Sequence, residues 1–196
     1  MTLNILITGV GGQGTILMSR LLGAAAVRKG LNVRGSETIG MAQRGGSVVS
    51  HIRVSSGVIH SPLIPPGRGD LVIALEPAEG ARALPFLAPP GRMIVLDRGI
   101  IPVTPYDPPA VVRYLRDCFS AGERAGGITV VGGEDIIARC GSPRVLNIVL
   151  LGAALSLGIL PFGGEDIMEA LGARIAPGLV ELNRRALEIG MNTPWN

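Results

Sequence analysis

Asn4-Ile5-Leu6-Ile7-Thr8-Gly9-Val10-Gly11-Gly12-Gln13-Gly14 is a short apolar run ending in spaced glycines, and helical periodicity begins at Thr15. That order opens a βα unit whose turn can take a phosphate. The glycines permit a tight turn, close ligand approach to backbone N–H groups, and close packing of helix on strand. A helix start adds unpaired donors and a partial positive charge. The same spacing serves equally well as a strand-to-helix turn without a nucleotide, so both readings stay open on these residues alone.

Leu17, Leu21, Leu22, Ala25 and Ala26 predict a helix over Thr15–Gly30, with Gly30 as C-cap. A second strand over Asn32–Arg34 ends near Glu37. In dinucleotide folds an acid about 20 residues past the glycines holds ribose hydroxyls, and Glu37 is spaced for that role. Thr38–Ser47 is a glycine-rich loop containing Arg44. The alternation of Val48–Ser55 predicts a strand, Ser56-Gly57 a turn, and Val58–Ser61 its antiparallel partner.

Short apolar strands follow at Asp70–Glu76, Arg92–Asp97 and Gly127–Val131. Helical patterns cover Ala78–Leu87, Ala110–Ala121, Glu134–Cys140, Arg144–Leu157, Gly164–Leu171 and Pro177–Gly190. The alternation predicts an α/β fold with a mostly parallel, Rossmann-like sheet and an antiparallel hairpin insertion, in a single domain over 1–196. Glu76 and Asp97 end their strands where open α/β sheets collect ligands, although capping and loop hydrogen bonds are the commoner use of such carboxylates.

Composition narrows the function. Apolar residues are 47 % and aromatics 3 %, so the core is aliphatic, as a buried parallel sheet requires. No apolar run approaches the roughly 18 residues of a membrane span, and no basic segment precedes Leu3–Ile7; a soluble, cytoplasmic protein with no membrane partner is expected. Net charge is +3, but residues 1–69 hold seven basic groups (Arg20, Arg28, Lys29, Arg34, Arg44, Arg53, Arg68) against Glu37 alone. A positive N-terminal third suits an anionic ligand or an acidic partner. Nucleic acid is not expected, because basic runs and stacking aromatics are lacking. Cys118 and Cys140 form no C-x-x-C, and with two histidines they supply no iron–sulfur or zinc ligand set. No Ser/His/Asp or Cys/His nucleophile cluster is present. A lone strand histidine, His51, reads as packing or a satisfied hydrogen bond.

Two segments together carry a family resemblance: Ile7–Gly14, and Glu37-Thr38-Ile39-Gly40-Met41-Ala42-Gln43-Arg44-Gly45-Gly46-Ser47 running on to Arg53. They resemble the gamma-type domain of 2-oxoacid:ferredoxin oxidoreductases. The GMAQRGG wording and the strand after it resemble the branch of indolepyruvate:ferredoxin oxidoreductase beta subunits. Arg144-Val145-Leu146-Asn147 and Val180-Glu181-Leu182-Asn183 are similar to that branch too.

The resemblance implies a three-layer α/β/α sandwich and an accessory subunit of an enzyme that oxidatively decarboxylates aryl-pyruvates to acyl-CoA. It implies that thiamine diphosphate, Mg and iron–sulfur clusters sit on a large alpha subunit, that ferredoxin is met through the complex, and that CoA lies at the interface. By itself the chain is expected to be inert, with no catalytic residue and no metal ligand. Its cavity-lining or cofactor-binding candidates are Gly9, Gly11, Gly12, Gln13, Gly14, Glu37, Gly40, Met41, Arg44, Gly45 and Gly46. Alternatives are a gamma subunit of a pyruvate- or ketoisovalerate-type enzyme, a Rossmann-like module for NAD or FAD, and a homodimer joined through Arg144–Leu157.

Overall fold

The computed structural model describes residues 2–39, 46–99, 106–120 and 124–195. Strands β1 (Thr2–Val10), β2 (Asn32–Ile39), β3 (Ser47–Ser55), β4 (Gly69–Ala74), β5 (Leu87–Leu96) and β6 (Ile128–Val131) form one sheet in the order β2-β3-β1-β4-β5-β6. Only β3 runs against the others. Helices are α1 (Thr15–Arg28), α2 (Pro77–Ala83), α3 (Pro108–Ser120), α4 (Gly133–Cys140), α5 (Leu146–Ser156), α6 (Gly164–Gly172) and α7 (Val180–Asn192).

Strand alternation divides the core into two layers. Ile5, Ile7, Ile52, Leu71, Ile73 and Ile94 pack on one face against α1 and α4 to α7. Leu6, Val72, Met93 and Val95 pack on the other against α2 and α3, where Ala83 and Leu115 meet them. This is a three-layer α/β/α sandwich.

Three expectations are corrected. The antiparallel partner of β3 is β2, in register Asn32↔Ser55 to Ile39↔Val48, and not Val58–Ser61. With β1 on its other edge, β3 has no free edge, and the excursion after it is tied down by Ile64, whose N–H donates to His51 Nδ1 at 3.2 Å. The helix expected over Ala78–Leu87 ends at Ala83 and gives way to a 3₁₀ turn, Leu84–Phe86, because Pro85 has no N–H to donate to the Ala81 carbonyl. Leu87 already pairs with Gly69, so β5 starts before its two prolines, which fall where the β4–β5 register shifts and no ladder donor is needed.

The third correction concerns Arg144–Leu157. Pro143–Val145 is a 3₁₀ turn, and α5 after it is buried from Asn147 to Ala154 inside the chain, which leaves no face for a second copy. Cys118 lies with the α2/α3 layer and Cys140 with the opposite one, so the two thiols do not meet. Among the described residues no single helix is long and apolar enough to cross a membrane.

Candidate functional site

The chain leaves β1 for α1 on one side, while β4 lies on the other, so the sheet's topological switch falls between the ends of β1 and β4. In open α/β sheets a crevice forms there. Gln13 spans it. The Val10 N–H donates to Gln13 Oε1 at 2.7 Å, and Gln13 Nε2 donates to the Leu75 carbonyl at 3.3 Å. The Leu75 N–H returns to the Thr8 carbonyl at 2.8 Å, closing the two strand ends together.

The glycines have separate reasons. A Cβ on Gly9 would stand 2.5 Å from Gln13 Oε1, and Gly12 and Gly14 hold φ of +98° and +88°. Gly14 precedes α1 with no side-chain cap, and the first turn carries no acid, so the positive helix end is not neutralised locally. A Cβ on Gly14 would also meet Asn147 Nδ2 at 2.4 Å, because the first turn of α5 packs directly beneath the loop.

Beside this loop opens a cleft of about 300 Å³, lined by Gly12, Gln13, Leu75, Leu96, Arg98 and Arg144 among others. Arg98 pairs with Glu134. The Arg144 guanidinium is exposed and has no partner among the described residues. The combination of apolar walls, two guanidiniums and an uncapped helix end suits a ligand with an apolar part and an anionic one.

The two candidate glycine segments are brought together where they are described. The Gly11 N–H donates to the Gly46 carbonyl at 2.9 Å, and Val10 pairs with Ser47. The exit of the second segment is anchored by Ser47 Oγ, which donates to the buried Glu79 carboxylate at 2.6 Å; Arg82 holds the other oxygen. Gly40, Met41, Arg44 and Gly45 lie outside the described residues.

Glu37 is not beside the loop. With β3 inserted between β1 and β2, it sits two strands away from β1, about 10 Å at the usual strand spacing. Its carboxylate accepts the Ser19 hydroxyl at 2.7 Å and ties β2 to α1. The dinucleotide role inferred from spacing assumed adjacent strands, which this sheet does not have.

The strand-end carboxylates also serve separate partners. Asp97 Oδ1 accepts the Gly133 N–H at 2.7 Å and caps α4. Buried Glu76 accepts the Tyr106 hydroxyl at 3.5 Å; burial and then the Glu76 charge push that phenol up to about 12, so Tyr106 stays a donor. His51 is buried, accepts the Ile64 N–H, and meets Phe86 edge-on at 5.6 Å, which is packing rather than base chemistry. Among the described residues no group of three or more His, Cys, Asp or Glu side chains is placed to hold a metal ion.

Sequence reasoning missed Arg98, Arg144 and Glu79. Arg98 follows a strand's C-terminal end, a signal that was available. Arg144 was legible only as part of a resembling segment, and Glu79 shows no sequence signal at all, since its importance comes from Ser47.

Residues 4–193 match the protein family described as pyruvate ferredoxin/flavodoxin oxidoreductase. Among curated proteins, the chain is 39 % identical to indolepyruvate oxidoreductase subunit IorB of Archaeoglobus fulgidus, over 98 % of this chain and 95 % of that one. Among solved structures it resembles the gamma subunit of a keto/oxoacid ferredoxin oxidoreductase from Geobacter sulfurreducens, with a TM-score of 0.71, 24 % identity, and 96 % of each chain covered. It also resembles 2-oxoglutarate:ferredoxin oxidoreductase from Magnetococcus marinus, solved with 2-oxoglutarate, coenzyme A and succinyl-CoA, at a TM-score of 0.73 and 20 % identity; there 96 % of this chain covers 30 % of that one. These two structural likenesses speak for the fold alone.

Proposed function

This chain belongs to the pyruvate ferredoxin/flavodoxin oxidoreductase family, and from that premise we propose that it is the accessory beta subunit of a cytoplasmic indolepyruvate-type 2-oxoacid:ferredoxin oxidoreductase. The observation that carries this reading is the 39 % identity, over nearly both full lengths, to an indolepyruvate oxidoreductase subunit. In this reading residues 1–196 act as one unit beside a large alpha subunit that holds thiamine diphosphate, Mg and iron–sulfur clusters. The alpha subunit carries out the decarboxylation and passes electrons to ferredoxin, and the isolated beta chain is inactive.

The contribution of this chain is positional. The Gly9–Gly14 loop, braced by Gln13, and the Gly40–Gly46 segment, anchored through Ser47 and Glu79, form one wall of the substrate or CoA cavity. Arg44, Arg98 and Arg144 supply positive charge for a carboxylate or phosphate. A nucleotide-binding module is the weaker reading, because the Glu37 carboxylate is engaged by Ser19 and displaced by one strand.

The test is reconstitution with the large subunit and measurement of aryl-pyruvate- and CoA-dependent ferredoxin reduction. Arg44→Ala should leave the melting temperature of the isolated chain within about ±0.5 kcal/mol of stability. In the complex it should cost about 2–5 kcal/mol in assembly or turnover where the charge pair is buried. Arg44→Lys should recover little, because an ammonium lacks the forked geometry. Isolated beta subunit that melts higher with NAD, with no effect of CoA on the complex, would overturn the assignment.

A further inference from the structure

The sheet edge opposite the glycine loop carries an uncovered apolar surface. A groove of about 600 Å³ lies at the N-terminal ends of β1, β4 and the parallel part of β5, with Leu3, Leu31, Ile159 and Pro161 on its walls and Asp70 and Arg92 at its rim. Leu3, Leu31 and Ile159 are the half-buried margin of the larger core layer. Three of the six exposed large apolar side chains among the described residues stand at the same end. Val27, 61 % exposed, is in the last turn of α1; Val58, 77 % exposed, follows the end of β3; Met191, 37 % exposed, is in the last turn of α7. An apolar concentration of this kind marks an interaction surface.

We propose that this edge is a docking surface for the large catalytic subunit, which lays an apolar segment bearing a carboxylate into the groove. The proposal rests on the accessory-subunit reading above. Two observations select that occupant. First, both ends of the described chain are here. Thr2 lines the groove, and Met191 lies against Gly164, where a Cβ would stand 2.9 Å from its sulfur, three residues beyond Pro161. In the Magnetococcus protein the matched fold is 30 % of its chain, so there a fold of this kind is joined to much further polypeptide, and in this chain the described N-terminus lies beside this groove. Second, the Arg92 guanidinium is exposed at the rim without a partner among the described residues, whereas the Asp70 carboxylate accepts the Asn4 N–H at 2.7 Å. Arg92 is therefore the rim group left free to bond, and its forked donors suit a carboxylate on the partner.

The groove and the glycine-loop cleft lie at opposite ends of the sheet, so both can be engaged at once. Docking at the lower edge would set the position of the upper one without touching the reacting groups.

The experiment titrates this chain against affinity-tagged large subunit, as wild type and as Ile159→Arg and Arg92→Glu, with the thermal melt and the self-association of each chain measured in parallel. We expect each variant to bind at least tenfold more weakly, with the Arg92→Glu melt unchanged. Because Ile159→Arg can disturb the core margin, Arg92→Glu decides if the former melts early. An intact wild-type complex that Arg92→Glu leaves equally tight overturns this proposal alone. A wild-type chain that self-associates through this edge, with both variants monomeric and large-subunit binding unaffected, makes a second copy the occupant and also overturns it. Absence of any wild-type complex overturns the accessory-subunit reading and this proposal with it.

Discussion

Gly152 of α5 and Gly190 of α7 meet at a helix crossing that has no room for a side chain on either. A Cβ on Gly152 would stand 2.3 Å from the Leu187 carbonyl oxygen and 2.8 Å from the Gly190 Cα; one on Gly190 would stand 2.2 Å from the Val149 carbonyl oxygen. Backbone rather than flexible side chain is the obstacle, so relief requires the helices to part. Gly152→Ala gains helix propensity of about 1 kcal/mol but overpacks a close crossing, which costs about 1–3 kcal/mol or more. The expected result is a net loss of stability, seen as a lower thermal midpoint, with Gly152→Val worse. The double variant Gly152→Ala/Gly190→Ala should be non-additive, because one parting of the helices relieves both clashes.

Gln13→Ala is expected to loosen the strand ends. Val10 is buried, and losing the Gln13 acceptor strands its N–H, at a cost of about 1–3 kcal/mol. Gln13→Glu keeps that acceptor but turns a carboxylate toward the Leu75 carbonyl in place of a donor. Its melting temperature should therefore fall at neutral pH and recover toward wild type on acidification, as the carboxyl regains a proton to donate. A Gln13→Ala chain that melts like wild type would show that the bridge does not hold the crevice.

The α/β class and the mostly parallel sheet were legible because short aliphatic strands alternate with helical periodicity, and the β1–α1 turn because Gly9–Gly14 ends a strand that feeds a helix; the three-layer arrangement was implied by the family resemblance. The partner of β3 was not legible. Val58–Ser61 is adjacent in sequence and has strand composition, but pairing is decided by which edges remain free, and β2 and β1 both offer theirs to β3. The same insertion moved Glu37 away from the loop, a displacement that no count of residues along the chain can register. The role of Gln13 was hidden for a different reason: a polar residue between two glycines looks like exposed loop until its amide is seen spanning two strands.

Ser50 is fully buried on the α1 face of β3, opposite Ile7 and Glu37, and its hydroxyl finds no hydrogen-bond partner among the described residues. A buried hydroxyl left unsatisfied costs stability. Ser50→Ala removes the oxygen without adding volume, so it should be neutral or stabilising by up to about 1 kcal/mol. Chemical denaturation of both chains, compared at equal m-values, checks this; a clear loss of stability would mean that the hydroxyl is satisfied in solution.

The last prediction uses His51 as a reporter of acid sensitivity. Its Nδ1 accepts the Ile64 N–H at 3.2 Å, so the folded chain needs the neutral ring, and burial lowers its pKa from 6.5. Below 6.5 the unfolded chain takes up a proton that the folded chain refuses, and acid therefore favours unfolding. The contribution is complete above 6.5 and declines as pH falls through the window between that value and the lower folded one. Asp166 acts in a separate, more acidic window. The Gly163 N–H, followed by Lys29, holds its carboxyl below 3.8, so its stabilisation is present above 3.8 and fades only beneath that value. The melting temperature should then fall in two steps on acidification, the first just below pH 6.5. His51→Asn places an oxygen where Nδ1 was, so the Ile64 bond survives while the proton-binding group is gone. That variant loses the Phe86 ring contact and should melt lower at every pH, but its first acid step should disappear. If the step persists in His51→Asn, the acid sensitivity belongs to another group, and His51 is packing without a titration role.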